Sequence, residues 1–124
     1  MAKKILVIDD EELIIKSLRK LLEYNDFAVV VAKNGQDAIT IAEEEKFDLI
    51  IADIKMPGIN GVDSVQSIYE ILTEKNTPKI PVIFITGYAD SEIKDRAKLL
   101  NPVAYIYKPF DITELVGKIK AVLQ

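Results

Sequence analysis

Apolar residues gather along the chain in five short blocks: Ile5–Ile8, Ala28–Ala32, Leu49–Ala52, Val82–Ile85 and Val103–Tyr107. The blocks are rich in Ile and Val and do not alternate with polar residues, as expected of strands buried on both faces of a parallel sheet. Between them the apolar period becomes helical. Ile14, Leu18, Leu21 and Leu22 form one stripe, Val62, Val65, Tyr69 and Leu72 a second, and Leu115, Ile119, Val122 and Leu123 a third. Asp111 and Glu114 stand before the third stripe at the spacing of a capping box. Residues 36–46 and 91–100 carry weaker helical patterns, and "TEKNTPKIP" reads as a polar loop. A strand followed by a helix thus recurs five times, which predicts an α/β domain with a parallel sheet and helices on both of its faces.

The polar residues that end these blocks are not a random set. The first block runs into Asp9 and Asp10, the third into Asp53, the fourth into Thr86 and the fifth into Lys108 and Pro109. Open α/β sheets bind ligands beyond the carboxyl ends of their strands, where the winding reverses. Three carboxylates, a hydroxyl and an ammonium are therefore expected on one rim. A divalent cation together with Lys108 would let the acids coexist, and oxygen-only donors suit Mg²⁺ or Mn²⁺ rather than zinc. Taken singly, an Asp after a strand is most often a helix N-cap, and a lone Thr or Lys there is most often solvated. Glu11 and Glu12 read as favourable first-turn charges, and the run at 43–46 as a solvated face. The coincidence at four strand ends is what favours a site.

Composition narrows the chemistry. The 124 residues, 49% hydrophobic, suit a single domain over 1–124 that buries roughly two-thirds of its unfolded surface. The net charge of -4 argues against direct nucleic-acid binding. With no histidine and no cysteine there is no Ser-His or Cys-His catalysis, no phosphohistidine on this chain and no disulfide framework. No apolar run reaches the length of a membrane helix and no signal-peptide pattern opens the chain, so a cytoplasmic protein with no membrane contact is expected.

The chain resembles the receiver domain of two-component response regulators through "VIDDE" at 7–11, "IIADIKMPGINGVD" at 50–63, "FITGYAD" at 84–90 and "YIYKPFD" at 105–111. The resemblance covers about residues 3 to 123 and implies a flavodoxin-like, doubly wound sheet of order 2-1-3-4-5 with five helices. It implies Asp53 as phosphoacceptor, with Mg²⁺ held by Asp9, Asp10, Asp53 and the Lys55 backbone carbonyl. Thr86 and Lys108 would bind the phosphoryl group. Thr86 and Tyr105 would form the switch, Pro109 would follow a cis bond, and Gly61 would start the third helix. Lys55 and Tyr88 would limit the approach of water, giving a long-lived phosphoryl group. By its position on the fifth strand Tyr107 reads as a packing residue. The implied partner is a histidine kinase or a histidine phosphotransfer protein; the downstream target is open. A monomer is expected, with dimerisation on phosphorylation left open. "LNPVAYIY" departs from the Gly-Ala pair and acids that many relatives carry there, and Lys118 replaces a frequent arginine, which argues against a symmetric dimer through this face.

Other readings fit less well. A haloacid-dehalogenase phosphatase needs a second aspartate two residues after the first, where this chain has Lys55. A flavodoxin-like carrier needs a phosphate loop where Asp9 and Asp10 would repel the phosphate. A degenerate docking receiver would not need the full set of acids, hydroxyl and ammonium. The expected function is a phosphoacceptor switch rather than an enzyme, either standing alone or as part of a longer DNA-binding regulator.

Overall fold

The computed structural model describes residues 2–87 and 91–123. Strands and helices alternate: β1 Lys4–Ile8, α1 Glu12–Tyr24, β2 Ala28–Ala32, α2 Gly35–Glu44, β3 Leu49–Asp53, α3 Gly61–Glu74, β4 Val82–Thr86, α4 Ser91–Leu99, β5 Ala104–Tyr107 and α5 Ile112–Leu123. All four strand pairs are parallel and the order is β2-β1-β3-β4-β5. The expected doubly wound sheet and its strand order are therefore observed.

Neighbouring residues of each strand point to opposite faces, so the sheet feeds two cores. Leu6, Ile8, Ile50, Ala52, Val82 and Phe84 face the helices that contribute Ala38, Val62, Val65, Ile68 and Ala97, namely α2, α3 and α4. Ile5, Val7, Leu49, Ile51, Ile83 and Ile85 face Leu18 and Leu22 of α1 and Leu115 and Ile119 of α5. The central strands β1, β3 and β4 are covered twice, which is why their sequence does not alternate. Each fully buried Leu or Ile contributes roughly 1.5–3 kcal/mol from apolar burial.

Among the described residues, side-chain caps start three of the helices. Asn34 accepts from the Asp37 N–H and Asn60 from the Asp63 N–H, each at 2.8 Å. Asp111 Oδ1 accepts from the N–H groups of Thr113 and Glu114 at 2.8 and 3.2 Å, so the expected cap before α5 is present. Gly61 opens α3 because nothing larger fits: a Cβ there would lie 2.0 Å from the Asp53 carbonyl oxygen. Its N–H donates to the Ile54 carbonyl at 2.8 Å, pinning the start of α3 against the end of β3.

Candidate functional site

The winding reverses between β1 and β3, since β2 lies outside β1 and the later strands run the other way. The register pairs Ile8 with Ala52, so the next residues along the two strands, Asp9 and Asp53, emerge side by side into the crevice left by the diverging connections. Asp9 is fully buried. Its N–H donates to the Ala32 carbonyl at 3.1 Å, and its Oδ1 accepts from the Glu11 N–H at 2.9 Å. This turn sets the start of α1, whose N-cap Glu11 makes no side-chain cap. Neither Asp9 nor Asp10 is the N-cap that each would be in isolation.

Asp53 ends β3 with only 2% of its surface exposed. Burial, and next the neighbouring Asp9 charge, push its carboxyl up to about 6; Lys108 and the Lys55 backbone N–H pull the other way. Burial also raises Asp9, against the Glu11 N–H and Lys108. Asp10 lies exposed at the rim. One oxygen from each of Asp9, Asp10 and Asp53 lies within 4.8 Å of the others. Among the described residues the buried Asp9 Oδ2 accepts no hydrogen bond. A cluster of hard oxygen donors that includes a buried orphan oxygen fits a divalent cation of the Mg²⁺ type.

Lys108 is carried to the same crevice by one further rung past β5, its N–H donating to the Thr86 carbonyl at 2.8 Å. The Lys108–Pro109 bond is cis, as expected. The ammonium donates to Asp53 Oδ2 at 3.2 Å and Glu11 Oε1 at 2.8 Å, and lies 3.4 Å from Asp9 Oδ2. Burial lowers the affinity of this ammonium for its proton, but Glu11, Asp9 and Asp53 outweigh that and raise it. Thr86 is fully buried, one residue beyond the Asp53–Ile85 pair and so nearer the rim. Tyr105 is half-buried beside Phe84 and packs on the α2–α3–α4 side of the sheet. Lys55 carries an exposed side chain, and Tyr88 lies outside the described residues.

The crevice thus brings together Asp9, Asp10, Asp53 and Lys108, with Thr86 at its edge. Tyr107, 51% exposed, packs its ring edge-on against that of Tyr105 at 5.4 Å, so the expected packing is made at the surface. One expectation changes. Glu11, read as a first-turn charge, instead takes the shortest contact to Lys108. A third acid directly after the pair was the available signal, but ordinary helix starts carry the same one.

The family described as "Response regulator receiver domain" matches residues 5–120. The probable transcriptional regulator ycf29 of Porphyra purpurea is 38% identical over 122 residues, covering 97% of this chain and 56% of that protein. A response regulator receiver domain protein (CheY-like) from Methanospirillum hungatei JF-1 superposes with TM-score 0.89 at 29% identity, covering 99% of this chain and 94% of that one. A response regulator from Burkholderia pseudomallei, with a phosphorylated aspartic acid, calcium ion and citrate, gives TM-score 0.79 at 29% identity, covering 98% of this chain and 66% of that one. The chain spans about half the length of the curated relatives it matches.

Proposed function

This chain belongs to the response regulator receiver domain family, and on that premise we propose that Asp53 takes a phosphoryl group from a phosphohistidine on a partner kinase or phosphotransfer protein. The observation that carries this reading is the buried Asp53 carboxylate, 3.2 Å from the Lys108 ammonium and beside the carboxylates of Asp9 and Asp10. An Asp53 oxygen forms the new bond to phosphorus while the P–N bond breaks and its electron pair returns to the imidazole nitrogen. The product is an acyl phosphate at the end of β3.

A nucleophile must be ionised, and with its carboxyl pushed up to about 6, Asp53 is mostly carboxylate at neutral pH. Lys108 offsets the charge of the incoming phosphoryl oxygens, and the Thr86 hydroxyl donates to one of them. Asp9, Asp10, Asp53 and the Lys55 carbonyl are the groups we assign to Mg²⁺ or Mn²⁺, which when bound neutralises phosphoryl charge. The Burkholderia pseudomallei relative, with its phosphorylated aspartic acid and calcium ion, supports this pairing of modification and cation. Thr86 and Tyr105 then bias the α4–β5–α5 face between two states. Lys55 and Tyr88 limit the approach of water, so loss of the phosphoryl group is slow. We place the protein in the cytoplasm as a monomer.

The test is labelling of the purified protein by acetyl phosphate with Mg²⁺, read by intact mass. Wild type gains one phosphoryl group and Asp53→Asn none; wild-type labelling of the variant overturns the assignment. A second reading is favoured by the relatives described as transcriptional regulatory proteins, of which this chain covers about half. In that case the chain is the receiver of a longer DNA-binding regulator, and the length of the native reading frame decides it.

A further inference from the structure

We propose that Glu11 is a positioning residue for Lys108: it draws the ammonium away from Asp9 and Asp53 and so makes those carboxylates easier for a divalent cation to occupy. This deepens, and rests on, the divalent-cation reading of the acid cluster given above. Lys108 divides one positive charge among three acceptors, Glu11 at 2.8 Å, Asp53 at 3.2 Å and Asp9 at 3.4 Å. The shortest contact goes to the one acid outside the cluster of Asp9, Asp10 and Asp53.

The backbone makes this arrangement specific. Asp9 Oδ1 holds the Glu11 N–H at 2.9 Å, and the Glu11 carbonyl accepts the Ile15 N–H at 3.0 Å. The turn that fixes Asp9 in the crevice therefore also sets the position of Glu11. The Glu11 side chain is 56% exposed and that of Lys108 11% exposed, so Glu11 is free to follow the ammonium outward.

The thermodynamic consequence comes from a difference between two states. Without the cation, Lys108 is shared among three acids. With the cation seated, its charge opposes the ammonium at Asp9 and Asp53, and Glu11 is the acid that keeps Lys108 paired. The Glu11–Lys108 attraction is thus fuller in the loaded state, and any contact stronger in one state favours that state. An ordinary first-turn acid would also attract a cation through space, but that attraction would not depend on Lys108.

A double-mutant cycle separates these cases. Mg²⁺ affinity is measured by titration calorimetry for wild type, Glu11→Gln, Lys108→Met and the double variant. Glu11→Gln should weaken Mg²⁺ binding by about two- to fivefold, the range of a partly exposed ion pair. In the Lys108→Met background the same substitution should change nothing. Equal weakening in both backgrounds, or none in either, overturns the proposal while leaving the cation reading intact. Failure of wild type to bind Mg²⁺ overturns the cation reading and this proposal with it. In metal-free protein, the Lys108 side-chain ammonium resonance should shift in Glu11→Gln; an unchanged resonance also overturns the proposal.

Discussion

Asp53 has to be buried to be shielded and ionised to react, and these demands oppose each other. Its carboxyl sits near 6 in the fold against an ordinary 3.8. Between about pH 4 and about pH 6 the native state therefore keeps a proton that the unfolded chain has lost, so stability falls as pH rises through that window and stays low above it. The loss is at most about 3 kcal/mol, from about two pH units at 1.36 kcal/mol each. Calorimetry in EDTA should show Asp53→Asn melting above wild type at pH 7, with the two converging near pH 4. Asp9, also raised, leaves a residual slope in the variant. Asp10 adds little to the repulsion between these carboxylates, because it is exposed while Asp9 and Asp53 are buried. Asp10→Asn should thus change stability in EDTA by no more than about 0.5 kcal/mol, yet reduce the stabilisation that Mg²⁺ adds. Gly61→Ala drives a methyl into the Asp53 carbonyl and should cost about 3 kcal/mol or more, measured by urea unfolding, and lower Asp53 labelling as well. The residues at strand ends were legible in the sequence because a buried apolar run leaves its last polar residue one place to go. Glu11 was not, because its contact depends on a side chain ninety-seven positions away. The packing of Tyr107 on Tyr105 was legible, but not that an edge strand leaves half of its ring in water.

Among the helices, α4 is held least firmly by apolar burial. Only Ala97 of this helix is fully buried, whereas α3 buries Val62, Val65, Ile68 and Leu72. Polar contacts tie it down instead. Arg96 pairs with Asp63 in the first turn of α3, and the Lys94 ammonium lies 5.6 and 5.3 Å from the ring centres of Tyr105 and Tyr107. Contacts of this exposed kind contribute about 0.5–1 kcal/mol each. Hydrogen exchange should therefore be faster in α4 than in α1 or α3, and Arg96→Ala should speed it further with little change in global melting. On phosphorylation, amide shifts should extend from the crevice to α4 and β5 through Thr86 and Tyr105; shifts confined to the crevice would refute the switch. The same sparse burial explains why residues 91–100 gave a weak helical pattern while the stripes of α1, α3 and α5 were plain. It also suits α4 to the movement proposed for the α4–β5–α5 face. Boundaries shifted where caps decide them: Asn34 admits Gly35 to α2, which ends at Glu44 rather than 46.

At the scale of the molecule, a cation that binds only the folded state stabilises it by mass action, about 2.7 kcal/mol at a hundred times its dissociation constant. Melting temperature should rise with Mg²⁺ concentration and return on adding EDTA, and a flat titration would remove the ion from the site. The layer order was legible because the doubly buried central strands β1, β3 and β4 require helices on both faces; the strand order came from resemblance, since no local pattern encodes which strands become neighbours. The exposed Leu99, Val103 and Tyr107 lie along α4, β5 and the loop between them, the side of the molecule proposed to switch. The crevice itself joins distant parts of the chain, with Glu11 and Lys108 separated by 97 residues. Chains leave the ribosome from the N-terminus, so Asp9 and Asp53 emerge first and wait, with their ion-pair partner still unmade. A nascent or truncated polypeptide that stops just short of residue 108 contains the residues of all five strands, but on the proposed chemistry it lacks the ammonium that completes the crevice. On that proposal, only a chain translated nearly to the end of this domain carries the complete crevice, and an unfinished copy lacks the ammonium that offsets the incoming charge.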